Sequence, residues 1–346
     1  MRGAGDGVGR RWQDQLRKGA KLPTTALLRM INSQADALER MGQLDLAGPA
    51  AVLGQASRIV VVGTGTSQHA AELGAMMFAQ AGRNACWYPA ATWARWGPGP
   101  RAGDVVCVIT HTAETAYAAR SRADAMAAGV PVVSITGLAR GWPEAIETVA
   151  HDQSHTYTVS YTSVLAVLAR LAHELGAPDG SAEQLARVVA QVRQVCLDPG
   201  IDVVAVPARS LAIVGCGPWG ITAREGALKI REGARMLAEG FDTDRLLHGG
   251  AVPYTAADGL VVLEPQADPD GLTGAVGAAA RQEGIPVAVL EAPADGGLPP
   301  LLAQIPMTVR LQLLAETFAR LRRQNPDAAI VGAWDEPALW RMGSPA

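Results

Sequence analysis

Arg58-Ile-Val-Val-Val-Gly63 runs into Thr64-Gly-Thr-Ser67, and this stretch decides the fold. A continuous β-branched run that ends in glycine reads as a strand buried on both faces. A helical pattern follows from about 68 to 81. Gly103-Asp-Val-Val-Cys-Val-Ile109 predicts another strand, 115–128 a helix, and Val130-Pro-Val-Val-Ser-Ile135 a third strand. The order then returns. Leu211-Ala-Ile-Val-Gly215 reads as a strand and 221–239 as a helix. Gly259-Leu-Val-Val-Leu263 and Ile285-Pro-Val-Ala-Val-Leu290 read as strands, with a helix over 272–282 between them. Gly63 and Gly215 lie 152 residues apart, Val105 and Val261 156, and Pro131 and Pro286 155. The chain is written twice, as two tandem α/β subdomains, each a parallel sheet with helices on both faces.

Other segments complete the organisation. Ser154 to Leu175 predicts a Ser/Thr-rich turn and a helix, broken at Gly176-Ala-Pro-Asp-Gly180. Ser181 to Val195 reads as an amphipathic helix with Ser181 as its cap and Glu183 in its first turn. Leu311 to Gln324 is helical and stops at Asn325-Pro-Asp327. The expected division is an N-terminal arm at 1–24, a first subdomain at 25–175 and a linking helix at 176–200. A second subdomain at 201–330 and a C-terminal tail at 331–346 follow.

Composition narrows the function. With 346 residues and 49% hydrophobic content, two ordinary domains with substantial cores are expected. The net charge is -3 and the basic residues are scattered, which argues against nucleic acid as a partner. Cys86, Cys107, Cys196 and Cys216 stand far apart and form no CxxC pair, which suits a reducing compartment. No signal-peptide pattern and no membrane-spanning run is legible, so a cytoplasmic protein away from membranes is expected. The histidines show no metal-ligand spacing; neither a metal nor a cofactor is expected.

One choice of residue stands out. Of the 30 basic side chains only Lys18, Lys21 and Lys229 are lysine. Lys229 sits in Glu225-Gly-Ala-Leu-Lys-Ile-Arg-Glu232, where Glu225, Lys229 and Glu232 share one helix face. Lysine is a compact charge that can be tuned to release its proton, unlike arginine. The trio suits proton transfer beside a carbonyl or imine; the plain alternative is a solvated Glu–Lys pair.

Three further motifs need weighing. Thr64, Gly65, Thr66 and Ser67 place hydroxyls and backbone N–H groups at a helix start, either as an anion site or as simple capping. Thr110-His-Thr-Ala-Glu-Thr115 follows a strand end, where ligands gather in open α/β sheets. Thr110, Thr112 and Thr115 can donate to phosphate oxygens, and His111 can add charge or orient a sugar oxygen. Alternatively, the segment is a polar turn with a helix cap. Gly215-Cys-Gly-Pro-Trp-Gly220 matches a dinucleotide fingerprint, but the helix expected to run through Glu239 leaves no strand for the ribose-binding acid.

These pieces, in this order, resemble the SIS (sugar isomerase) family in its duplicated form. That form is the isomerase half of glutamine:fructose-6-phosphate amidotransferase and related amino-sugar-phosphate deaminases and deglycases. Gly65-Thr-Ser67 is similar to the family's Cys-Gly-Thr-Ser, and Thr110–Thr115 to Ser-Gln-Ser-Gly-Glu-Thr. Glu225–Glu232 resembles Glu-Gly-Ala-Leu-Lys-Leu-Lys-Glu, His248-Gly the Lys-His-Gly-Pro stretch, and Met30–Gln34 the opening Glu-Ile-x-Glu-Gln-Pro. The resemblance implies two flavodoxin-like halves and one composite site completed across a homodimer. Thr66, Ser67, Thr110, Thr112 and Thr115 would hold phosphate and Glu232 would move a proton between C1 and C2. Lys229 and Glu225 would support it, and His248 of a second copy would assist ring opening.

Three departures from the family qualify that expectation. Residue two is Arg2 rather than the family's cysteine, and no glutaminase is legible; glutamine as nitrogen source would need a separate glutaminase subunit. Ala113 replaces a glycine and adopts a positive φ less freely. No lysine follows Lys229, so the family's C-terminal lysine has no counterpart. The expectation is a sugar-phosphate aldose–ketose isomerase that releases or adds an amine. The alternatives are a sugar-phosphate sensor without catalysis, or a specialised isomerase with an unusual substrate.

Overall fold

A computed structural model describes residues 24–264, 268–291 and 297–345. Most of the expected arm, with Lys18 and Lys21, lies outside these residues. The chain forms two compact units. One holds Gln34–Asp152, Val159–Ala190 and the segment from Gly332 onward. The other holds the stretch ending at Ser33, Gln153–Thr158 and Gln191–Val331. Residues 24–33 therefore group with the second repeat and residues 332–345 with the first, a grouping that the linear division at 25–175 and 201–330 does not contain.

The first unit follows the chain through α2 (Gln34–Gly42), α3 (Ala47–Gly54) and β1 (Arg58–Gly63); α1 (Ala26–Asn32) precedes them in the other unit. It continues with α4 (Thr66–Gln80), β2 (Ala85–Pro89), α5 (Ala90–Trp96), β3 (Asp104–Ile109), α6 (Ala116–Ala127), β4 (Val132–Thr136), β5 (Ala145–Glu147) and α7 (Val159–Glu174). The sheet order is β2-β1-β3-β4-β5 and every pair is parallel. This is the flavodoxin-like order, with its switch point between β1 and β3. Val60, Val62, Val106 and Val108 pack with Trp93, Ala118 and Ala125 in one core.

Chain order then gives α8 (Ala182–Leu197), β6 (Ser210–Gly215), α9 (Pro218–Ala234), β7 (Leu237–Asp242), β8 (Gly259–Glu264), α10 (Leu272–Gln282), β9 (Val287–Glu291) and α11 (Pro300–Leu321). The second sheet runs β7-β6-β8-β9, again all parallel, so β6, β7, β8 and β9 repeat the roles of β1, β2, β3 and β4. Ser181 caps α8 as its sequence predicts. Its Oγ accepts from Gln184 N–H at 3.2 Å, and Gln184 Oε1 accepts from the N–H groups of Gly180 and Ser181, closing a capping box.

The repeat extends to a salt bridge that the sequence reading missed. Arg58 forms a fork with Asp104 at 2.9 and 2.6 Å, tying the start of β1 to the start of β3. Arg209 forms the same fork with Asp258 at 2.8 and 2.5 Å, tying β6 to β8. The signal was present in the sequence: arginine beside the first strand of each repeat, and aspartate beside the third.

Three strands escaped the sequence reading: β2, β5 and β7, all at sheet edges. The helix expected over 221–239 instead ends at Ala234. Arg235 turns the chain through a left-handed conformation (φ 49, ψ 46), and β7 follows. Leu237-Ala-Glu-Gly-Phe-Asp mixes exposed Leu237 and Glu239 with buried Ala238 and Phe241, and this edge strand lacks the continuous apolar run of the central strands. Gly240 is required there, since a Cβ would lie 2.3 Å from the backbone nitrogen of Arg224. Helix α11 starts earlier than expected, at Pro300, and accommodates Pro306 within it.

Candidate active site

In the first unit the loops after β1 and β3 meet the switch point. Gly65 sits at φ 59, ψ −127, a backbone that side-chain-bearing residues avoid, and α4 starts with no side-chain cap. Simple capping by Thr or Ser is therefore not what these residues do. Ser67 N–H donates to Thr64 O at 3.2 Å and Gln68 N–H to Gly65 O at 2.9 Å. Thr64 and Gly65 are exposed, and Thr66 and Ser67 half-buried.

After β3, buried Thr110 donates from Oγ1 to Thr115 Oγ1 at 3.3 Å, and Thr112 Oγ1 accepts from Glu114 N–H at 3.2 Å. Thr115 stands at the start of α6 without capping it through its side chain. Two helix N-termini and a set of hydroxyls thus stand at the ends of neighbouring parallel strands, a surface with the polarity an oxyanion requires. Ala113 does take the left-handed conformation (φ 60), at the steric cost that glycine would avoid.

The surroundings of His111 disfavour its charged form. Burial, His151 and Arg140 push its pKa down to about 4. Its ring stacks on His151 with centroids 5.6 Å apart. Gly137 leaves room for it, since a Cβ there would approach the ring to 2.7 Å.

In the second unit α9 carries the ionisable trio, which is not a solvated pair. Glu225 and Lys229 are fully buried and Glu232 is half-buried. Lys229 Nζ lies 2.7 Å from Glu232 Oε2 and 3.5 Å from Glu225 Oε1. Burial works against the ammonium, but Glu232 and Glu225 outweigh it and raise the Lys229 pKa above its ordinary value. Lys229 is accordingly a fixed cation, not a proton donor tuned toward neutrality. Gly226 lets α11 come close, as a Cβ would meet Leu311 at 2.4 Å. Gln304, Thr308, Gln312 and Glu316 form a buried polar row on α11 at a spacing of four, and Gln304 bonds Thr222 of α9.

His248 sits apart, on a short helical segment after β7 that is broken at His248 and Gly249. It is exposed, and its Nδ1 is 2.9 Å from Asp244 O and 3.3 Å from Asp244 Oδ1. Both contacts raise its pKa.

The dinucleotide fingerprint requires a correction. Because β7 exists, Asp242 does end the strand after α9, where a ribose-binding acid belongs. That carboxylate is committed within the protein. Asp242 Oδ2 accepts from Arg224 at 2.7 Å, and its Oδ1 lies only 2.0 Å from where a Cβ on Gly220 would be. The third glycine makes room for Asp242, and the Gly215-Cys-Gly217 turn repeats Gly63-Thr-Gly65, with Gly217 at φ 58, ψ −125.

Two parallel flavodoxin-like sheets in tandem, each with the same strand–glycine–helix turn, define a duplicated α/β architecture. Residues 52–172 match the family model of the SIS domain. It is 28% identical over 304 residues to the isomerizing glutamine–fructose-6-phosphate aminotransferase of Pyrococcus horikoshii, covering 78% of this chain and 50% of that protein. The corresponding protein of Bradyrhizobium diazoefficiens is 28% identical over 228 residues, 60% of this chain and 38% of that one. The chain thus spans half or less of the length of these relatives.

Among solved structures, the tagatose-6-phosphate ketose/aldose isomerase of Escherichia coli superposes with a TM-score of 0.74 at 15% identity, covering 90% of this chain and 97% of that one. The glucosamine-6-phosphate deaminase of Thermotoga maritima gives 0.73 at 18%, covering 88% and 97%. The C-terminal domain of glucosamine-fructose-6-phosphate aminotransferase from Francisella tularensis gives 0.68 at 20%, covering 88% and 98%. These likenesses establish the fold. No helix among the described residues is long and apolar enough to cross a membrane.

Proposed function

We propose that this protein is a phosphosugar isomerase that moves a proton between C1 and C2 of an open-chain sugar phosphate. Its substrate is an amino sugar or ketose phosphate, and an amine is released or added at the adjacent carbon. The observation that carries the reading is Lys229, a wholly buried ammonium held between Glu225 and Glu232. A buried ion set costs desolvation that apolar residues avoid, so its retention points to chemistry.

Each group has a task in this reading. Thr66, Ser67, Thr110, Thr112 and Thr115, with Thr64, Gly65 and His111, hold the phosphate and orient the sugar. Glu232, the half-buried member of the trio, takes the proton from one carbon and returns it to the next. Lys229 faces the negative charge that develops on the enediol or enamine oxygen, and Glu225 keeps the ammonium in place. His248, exposed beside Leu247 and Val252, acts on the ring-opening step in a second copy of the chain, making a homodimer the working unit.

The test is deuterium exchange at C1 of fructose 6-phosphate and at C2 of glucosamine 6-phosphate, followed by proton NMR. Exchange in the wild type and its loss in Glu232→Gln is the expected result. Absence of exchange with every hexose phosphate tried removes the isomerase reading. Ala113 at φ 60 and the neutral His111 favour a second reading, a specialised isomerase whose substrate departs from ordinary hexose phosphates. Thermal-shift screening separates the two, because only the first is stabilised by common sugar phosphates.

A further inference from the structure

The residues proposed to hold phosphate include no permanent cation: 64–67 and 110–115 contain neither lysine nor arginine, and His111 is held neutral by its surroundings. A phosphate monoester brings close to two negative charges at neutral pH. Hydroxyls and helix N-termini offer only partial charges against it.

The structure supplies a cation from a third loop. The chain after β4 runs beside the loop after β3, joined by Gly137 N–H to His111 O at 2.9 Å. It is pinned at Leu138 N–H to Val149 O, 2.9 Å, and at Ala139 N–H to Glu147 Oε1, 2.8 Å. Ala139 takes a left-handed conformation (φ 57) to present the next residue, Arg140. Arg140 is half-buried, near enough to His111 for its charge to act on that ring. Among the described residues it has neither an ion pair nor a hydrogen bond, and its Nε is buried without a partner.

Other arginines of this unit are engaged. Arg58 holds Asp104, Arg122 holds Glu144, and Arg170 donates to the carbonyls of Met41 and Leu44. The next two carboxylates along the chain are spent, Glu144 on Arg122 and Glu147 on the Ala139 N–H. A buried guanidinium nitrogen without an acceptor is costly, and a missing ligand accounts for it.

We infer that Arg140 is the charge-recognising residue of the phosphate site, pairing with the dianionic oxyanion that the hydroxyls of residues 64–67 and 110–115 position. The inference rests on the phosphate reading above. It adds that selection for a phosphorylated over a neutral sugar comes from the loop after β4. Arginine suits the task because its planar fork meets phosphate through two parallel bonds.

Calorimetric titration of the full chain with inorganic phosphate, fructose 6-phosphate and fructose tests it, using wild type, Arg140→Lys and Arg140→Gln. Arg140→Gln should weaken phosphate and fructose 6-phosphate by roughly 10- to 100-fold while leaving fructose unchanged. Arg140→Lys should fall between the two. Binding by Arg140→Gln within twofold of wild type overturns the role of Arg140 while the phosphate reading stands. A wild type that binds neither phosphate compound removes both. A second measurement needs no variant: the NMR titration midpoint of His111 should rise when phosphate is added, because the anion offsets the Arg140 charge, and an unchanged midpoint in the bound state counts against the inference.

Discussion

At matching turns of matching helices, the two repeats bury different chemistry. Counting from the turn glycines Gly65 and Gly217, the positions of Glu225, Lys229 and Glu232 in α9 correspond to Leu73, Met77 and Gln80 in α4. Leu73 and Met77 are as deeply buried as their charged counterparts. Even the glycine between them is shared: Gly74 lies against Leu168 of α7 as Gly226 lies against Leu311 of α11. The scaffold is therefore content with two apolar side chains at these positions. The ammonium and carboxylate of α9 are not a packing requirement, and the polar row on α11 follows from burying them.

The largest expected effect tests whether the charged repeat does chemistry. Glu232→Gln should slow proton exchange at C1 or C2 of the sugar by roughly 10²- to 10⁴-fold, with a smaller loss of stability than removal of Lys229 because Glu225 still faces the ammonium.

The next test converts one repeat into the other. Lys229→Met alone leaves Glu225 buried without its cation and should destabilise by roughly 3–5 kcal/mol in denaturant titration. Glu225→Leu combined with Lys229→Met imports the pair found in α4 and should recover most of that loss without recovering activity. A double variant as unstable as the single one would show that packing, not charge, sets the cost.

A smaller effect concerns acid. His111 has a folded pKa depressed to about 4, so its contribution to stability is complete above the unfolded value of about 6.5 and declines as pH falls toward 4. The loss is on the order of 2–3 kcal/mol, and His111→Gln should flatten this part of a stability-versus-pH curve. Asp258 and Asp104 are held below the usual carboxylate range, Asp258 chiefly by its bond to Arg209, Asp104 by Arg58 against the opposing effect of burial. Their contribution is present above about pH 4 and is lost as pH falls through the lowered values, a second step that His111→Gln should leave intact.

The smallest effect lies in the loop after β3. Ala113→Gly relieves a left-handed alanine and should stabilise by roughly 0.5–1 kcal/mol, after allowance for the added freedom of the unfolded chain. Equal stability would mean that the loop has relaxed around alanine.

How far the sequence reaches is clearest strand by strand. β1, β3, β4, β6, β8 and β9 are continuous Val/Ile runs, and they read correctly. β2, β5 and β7 are edges whose sequences, with Trp87, Tyr88, Glu147 and Glu239, lack a continuous aliphatic run, whereas β9, also an edge, keeps one. The trio was visible because lysine is rare in this chain and the spacing is helical. Whether it was wet or buried depended on α11, more than seventy residues further on. Arg140 was invisible because nothing in 137–142 resembles a binding motif; the sheet brings that loop beside His111.

The linear order of residues determined the duplication, the parallel sheets and the identity of the ionisable groups, because burial on both faces of a sheet writes itself as an uninterrupted apolar run. The tertiary structure alone decided which of those groups carry charge. His111 stays neutral because its burial and the charges of His151 and Arg140 come from segments distant in the chain, whereas Lys229, paired with Glu225 and Glu232 of its own helix, owes its burial to the fold; electrostatic energy depends on separation in space.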